Sequence, residues 1–311
     1  MLLPPLLFYV TGFSQGGFNE AVEYNAFIVN AQREVVKQNL DYISFSIYSN
    51  DYQLIEVKRK EVLKQIRQAK HRIERLPAFK GNNRLKNEAV NVLSEYEIAF
   101  EDDFKEVARL GKNSENSFEA MEAYFKAQNK TEERVSKASE KFNKVQDNFV
   151  KQHNLTYGDA EDQLTAQMKE VAALNRYIRS IFLEYFRVSK SFARMLEALK
   201  IQKSGPLDKE RKQVIEQANE ATTMLVACGD FNGERDYLDQ TINLIEYYRA
   251  LAENEFLKIT GLLDKKNGID QQDATYINKV LRDYNANIEI LLYNLNTSHN
   301  NLLQNNIVST Q

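Results

Sequence analysis

Tryptophan is absent from this 311-residue chain, cysteine occurs once, histidine three times and proline four times. The single thiol, Cys228, excludes an intramolecular disulfide framework and any thiolate zinc cluster. His71, His153 and His299 stand far apart without ligand spacing, and no Glu-x-x-His occurs. That removes the motif by which four-helix bundles hold paired irons. Eleven glycines and four prolines exclude collagen and most flexible low-complexity classes. Neither a Gly-x-Gly-x-x-Gly nor a Gly-Lys-Ser/Thr phosphate loop is found. An excess of one charge is missing too: 41 Lys and Arg face 44 Asp and Glu, for a net charge of −3. This argues against a chain-wide basic footprint for nucleic acid. Beyond residue 17 no long apolar run appears, so a polytopic membrane protein and a transmembrane helix in the mature chain are excluded.

The first residues read differently from the rest. Leu2 to Val10 is an apolar run about as long as the core of a signal peptide, and it ends in Thr11, Gly12, Ser14 and Gln15. It lacks a basic segment before it, and Pro4 and Pro5 are unusual there. A start assigned downstream of the true one would explain the missing basic residues. Residues 1–17 are therefore expected to be an export signal, and the protein to reside in the periplasm, at the cell surface or outside a bacterium. No cysteine follows the run, so lipid anchoring by the usual bacterial lipoprotein route is not available.

After Phe18 the apolar spacing is helical nearly everywhere. The series Leu174, Ile178, Ile181, Tyr185, Val188, Phe192, Met195, Leu199 alternates steps of three and four, as on one stripe of a bundle helix. Similar series run from Ile277 to Leu302 and from Phe118 to Phe149. Gly111, Gly158, Gly205 and Gly268 punctuate them, and Pro206 sits at a helix-start position. The pattern predicts eight helices over about 19–49, 52–76, 83–110, 116–154, 160–202, 207–228, 234–264 and 270–305. At 1.5 Å per residue, helices of about 30 residues would be roughly 45 Å long.

The sequence also matches itself. A shift of about 152 residues lays 59–110 on 211–262 without a gap, so that RKEVLKQ meets RKQVIEQ and FKGN meets FNGE. Asn91 meets Asn243, Tyr96 meets Tyr248, and Phe104 meets Phe256. A shared Phe-x-Gly turn in gapless register points to an internal duplication. The expected architecture is all-α, with two tandem up-down bundles of about four helices each, at 18–156 and 157–306, and a disordered tail at 307–311.

Folding each helix pair about its turn brings Arg59 opposite Glu101 and Arg211 opposite Glu253. These pairs are read either as inter-helix salt bridges or as solvated charges that happen to match. Phe79 and Phe231 are expected to anchor the bundle ends, with Gly81 and Gly233 supplying backbone angles that side chains disfavour. The acidic cluster Glu101, Asp102, Asp103 and Glu106 reads as a solvated face, with Glu101 the candidate for pairing inward. Cys228 aligns with Leu76 and reads as a small buried hydrophobe. The 16 tyrosines and 17 phenylalanines read mainly as core. Three Asn-x-Ser/Thr sequons, at Asn129, Asn154 and Asn296, carry no modification forward.

Tyr24-Asn25 opening the first helix, followed by Phe79-Lys80-Gly81 and Leu85-Lys86, resembles an uncharacterised family of exported all-helical surface proteins of spirochaetes and Bacteroidota. The resemblance covers the first unit best. It implies a fold and a location but no catalytic residue. Members often carry a lipoprotein cysteine after the signal, which this chain lacks. The expected function is non-enzymatic: a protein-interaction or structural module with an unidentified protein partner, and no catalytic residue, metal or cofactor. The alternative is a bundle that binds a small ligand or metal in a sensing or transport role. That reading needs polar groups such as Asn25, Gln32, His71 and Asn243 to converge in the core.

Overall fold

The computed structural model describes residues 20–48, 52–156 and 159–306. The signal-like segment 1–17 and the tail 307–311 lie outside the described residues. Among those residues the chain is all-α, with no strand. The α-helices are α1 Ala21–Tyr48, α2 Tyr52–Glu74, α3 Arg84–Ile98, α4 Phe104–Gly111 and α5 Phe118–Gln152. They continue as α6 Asp159–Lys200, α7 Ser204–Cys228, α8 Asp236–Glu253, α9 Glu255–Leu263 and α10 Gln271–Asn306. Pro206 lies in the first turn of α7, where a backbone N–H has no intrahelical partner to lose. Where the apolar spacing predicts one helix over 83–110, α3 and α4 are separated by a π-helical stretch, Ala99–Asp103. The predicted helix over 234–264 is likewise broken, at Asn254. No described helix is long and apolar enough to cross a membrane.

Contacts divide the chain into two compact units. The first takes the described residues of Met1–Phe104 together with Thr131–Asp162. The second takes Lys105–Lys130 together with the described residues of Gln163–Gln311. This partition is not the one drawn from the sequence, because 105–130 groups with the second unit.

In the first unit α1 packs on α2, and α2 on α3. Its core holds Ile28, Ile66, Ile73 and Leu93, all removed from solvent. Burying each such side chain contributes about 1.5–3 kcal/mol as an upper bound. Rings close one end: Phe79 lies 5.1 Å from Tyr24 and 5.5 Å from Phe149, centroid to centroid. In the second unit α7 packs on α8, and α8 on α10. Phe192 of α6 fills the centre, stacked on Tyr248 at 4.5 Å, with Phe256 at 5.7 Å and Tyr284 at 5.1 Å.

Both helical hairpins turn in the same way. Phe79 and Asn82 exchange backbone hydrogen bonds of 3.0 and 2.9 Å; Phe231 and Glu234 do the same at 3.0 and 2.9 Å. Between them Lys80 (φ 48°) and Gly81 (φ 80°) are both left-handed, as are Asn232 (φ 54°) and Gly233 (φ 84°). Two successive positive φ values define a tight primed turn, for which Asn-Gly is the favoured pair. A Cβ at either glycine would meet nothing within 4 Å, so the need for glycine is conformational and not one of space. Gly81→Ala and Gly233→Ala are each expected to cost about 1–2 kcal/mol in urea unfolding. Lys80→Asn, which installs the residue of the second turn, should be neutral or stabilising, because Asn tolerates this region better than Lys. Equal stability of Gly81→Ala and the parent chain would contradict the turn assignment.

Candidate functional site: two buried arginines at broken helices

A π turn adds one residue to the hydrogen-bonded ring, and a break interrupts the ladder, so carbonyls at either lose their usual partner. If such a carbonyl is buried, something else must donate to it. In the first unit the donor is Arg59 of α2, 6% exposed, whose Nη1 donates to the carbonyl of Phe100 inside the π-helical stretch. In the second it is Arg211 of α7, 8% exposed, whose Nη1 donates to the carbonyl of Ala252 at 3.4 Å, two residues before the break at Asn254. Each guanidinium is held by a carboxylate one turn earlier on its own helix. Arg59 Nε and Nη2 both reach Glu56 at 2.7 Å, and Arg211 Nε and Nη2 reach Asp208 Oδ1 at 2.9 and 2.7 Å. The fork of donors lets one side chain serve a carboxylate and a carbonyl together.

These bonds leave their mark on the acids. The hydrogen bond from Arg59 holds the Glu56 carboxyl below its ordinary value. Lys212 first, then Arg211, does the same for Asp208. The Arg59 guanidinium is in turn pushed up by Glu56.

The arrangement departs from the pairing drawn from sequence. Glu101 and Glu253 are exposed, and neither forms an ion pair with its expected arginine. Glu101 pairs instead with exposed Arg67, which also holds Glu97 at 2.7 Å. The reason is demand: a buried guanidinium must meet the orphaned carbonyl, and an acid three residues away on the same helix reaches it more readily than one across the hairpin. Of the acidic cluster it is Asp103, half-buried, that turns toward another helix, to Arg134 Nε at 2.8 Å. Glu106 pairs with Arg109.

Phe79 is buried, as an anchor should be, whereas Phe231 is half-buried against Tyr177 at 5.4 Å. Cys228, read as a buried hydrophobe, is exposed. Its counterpart Leu76 lies beyond the end of α2 and folds inward, but α7 runs on to Cys228 and turns that position outward. The polar residues needed for a ligand-binding core do not gather. His71 and Asn243 are exposed, while Asn25 accepts a 3.4 Å hydrogen bond from Gln146. His153 lies tilted against Phe149 at 4.5 Å, and burial pushes His299, beside Tyr237, below its ordinary value. Among the described residues no group of three or more His, Cys, Asp or Glu is placed to hold a metal ion.

Two features escaped the sequence reading. A tyrosine hydroxyl ties the helix that precedes each hairpin to the loop before the turn. Tyr24 donates to the Pro77 carbonyl at 3.2 Å, and Tyr177 to the Gly229 carbonyl at 3.1 Å. Burial pushes both phenols up to about 12. The second is an exchanged pair between hairpin arms: Arg67 donates to Glu97 in the first, but Arg249 donates to Asn219 at 2.9 Å in the second. The signals were Glu56 and Asp208, three residues before each arginine, and the helix-poor Asp102-Asp103 and Asn254 at the breaks. The chain matches no family model, no curated protein and no solved structure.

Arg59→Met and Arg211→Met should each destabilise by roughly 2–3 kcal/mol, because each leaves a buried carbonyl without a donor. Chemical unfolding of each variant checks this, and a loss below about 0.5 kcal/mol at both sites would contradict it. The carboxylates set a pH dependence. With folded values below the ordinary 4.5 of Glu56 and 3.8 of Asp208, their contribution is complete above those values. It is lost as pH falls further, through the folded values. Urea midpoints should therefore drop below about pH 4.5, and Glu56→Gln with Asp208→Asn should flatten that drop.

Proposed function

We propose that the chain is an exported, non-enzymatic scaffold of two tandem helical bundles that arose by duplication and act through protein contacts at a bacterial surface or in the periplasm. One observation carries the duplication: the same constellation recurs 152 residues on. Arg59, Glu56 and the Phe100 carbonyl correspond to Arg211, Asp208 and the Ala252 carbonyl. The Phe79–Asn82 turn corresponds to Phe231–Glu234. Helix starts follow the same offset, at Tyr52 and Ser204 and at Arg84 and Asp236. Chance helical similarity supplies heptads, but not matched breaks and matched donors.

The non-enzymatic reading is supported by what the two halves share, which is a turn, a capped break and a tyrosine tie, all of them scaffold. What differs lies outside. Ile290 and Tyr293 of α10, three residues apart and so on one face, are 60% and 71% exposed, and Met224 on α7 is 58% exposed. Within the matched segments, the counterpart of Met224 is the charged Arg72. Exposed apolar side chains paired on one helix face suit contact with another protein. Export rests on the apolar run at Leu2–Val10 and on the resemblance to exported helical surface proteins.

The reading is tested by expressing the chain in its native cell with a photo-crosslinking residue in place of Tyr293, followed by fractionation and mass spectrometry. The expected result is an N-terminus near residues 13–17 in the envelope or secreted fraction, with a discrete crosslinked protein. An intact Met1 in the cytoplasm would overturn the location, and no crosslinked protein would overturn the contact role.

A further inference from the structure

The two primed turns share a backbone but carry opposite charge. Residues 75–88 around the first turn hold Arg75, Lys80, Arg84 and Lys86 against Glu88 alone. The matching residues 227–240 hold Asp230, Glu234, Asp236 and Asp239 against Arg235 alone. Local pairing removes little of either excess. Lys86 donates to the Leu76 carbonyl at 3.0 Å, and Arg235 takes Asp239 at 2.8 Å. Arg75, Lys80 and Arg84 remain exposed with no carboxylate within ion-pair distance. Asp230, Glu234 and Asp236 meet only amide groups: the Gly233 N–H, the side chains of Asn305 and Asn306, and that of Gln240.

The basic end is also unfavourable as it stands. The first turn of α8 carries Asp236 and Asp239, which suit the positive end of a helix dipole. The first turn of α3 carries Arg84 and Lys86 and no acid, so like charge meets like. An anionic group docked on that end would relieve this repulsion, and the chain itself presents one, the acidic turn around Asn232-Gly233.

We propose that a second copy of this chain is that partner: the acidic turn around Asn232-Gly233 of one molecule docks on the basic turn around Lys80-Gly81 of the next. The contact joins two different surfaces, so it is head-to-tail, and each added molecule leaves one basic and one acidic end free. Assembly then continues beyond a dimer. The interaction deepens the reading of the chain as a protein-contact module, naming its own copy as one partner. Because Arg75, Lys80, Arg84, Asp230 and Asp236 are exposed, the contact is weak and salt-sensitive, screened over about 10 Å at 0.1 M salt and about 3 Å at 1 M.

Sedimentation velocity of the full chain over a concentration series tests this. At low ionic strength the weight-average mass should rise with concentration past that of a dimer, and it should return to that of the monomer near 1 M salt. Lys80→Glu with Arg84→Glu should weaken association roughly tenfold or more, as should Glu234→Arg with Asp236→Arg. Mixing the two reversed chains should restore it, since each now offers the other a complementary end. Circular dichroism melts of both variants confirm that they are folded. A chain that stays monomeric at low salt overturns the proposal, as does association unmoved by either reversal or not restored by mixing. Binding of the basic end to anionic lipid vesicles by a chain that remains monomeric overturns it in favour of a membrane surface. Failure here leaves the crosslinking result at Tyr293 unchanged, so the two readings fail separately.

Discussion

A peptide carbonyl taken out of water must be given a donor, and among the described residues each hairpin has one at a π turn or a helix break that takes its bond from a buried arginine. Arg59 and Arg211 meet that demand from the neighbouring helix of each hairpin. The rest of each hairpin follows from this contact. It fixes the register of α2 against α3 and of α7 against α8, and with it the residues that face inward. It also places a charge in the interior at modest cost, since the guanidinium keeps a carboxylate and a carbonyl as partners. A bare hydrophobic seam of Leu, Ile and Val would allow slippage by a turn. A seam with one polar fixed point does not.

Around that fixed point the chemistry is free to change. Arg67–Glu97 and Asn219–Arg249 occupy matching positions with the donor moved from one arm to the other. Both turns have a left-handed pair, with Lys80 in one and Asn232 in the other, and the charges beside them are of opposite sign. Ring clusters fill both cores, centred on Phe79 in one and Phe192 in the other. The turn and the buried arginine are common to both hairpins, and the surface charges beside them differ.

Much of this fold was legible in the sequence. Step-three and step-four apolar series outline the helices to within a few residues, because a buried stripe leaves that periodicity whatever it packs against. The Phe-x-Gly turn was legible because only a small residue suits its second left-handed position. The helix breaks were not, since an apolar stripe continues through Phe100, Phe104 and Val107 whether or not the backbone widens. Nor was the arginine's partner. Simple folding of the hairpin points Arg59 at Glu101, but a backbone carbonyl leaves no letter in the sequence. Cys228 was misplaced because aligning it with Leu76 ignores that α7 runs on past the point where α2 stops. The uncompensated charges at the turns are legible only in the structure, which shows which of them have a local partner.

The central claim is that both hairpins are pinned by a buried guanidinium bound to a backbone carbonyl. Its most direct test is proton exchange at the arginine side chains, followed by nitrogen-15 NMR on the full chain. Two sets of guanidinium resonances should exchange far more slowly than the others, one lost in the Arg59→Met variant and the other in Arg211→Met. Rapid exchange at both, at the rate of exposed arginines such as Arg75, would contradict the account.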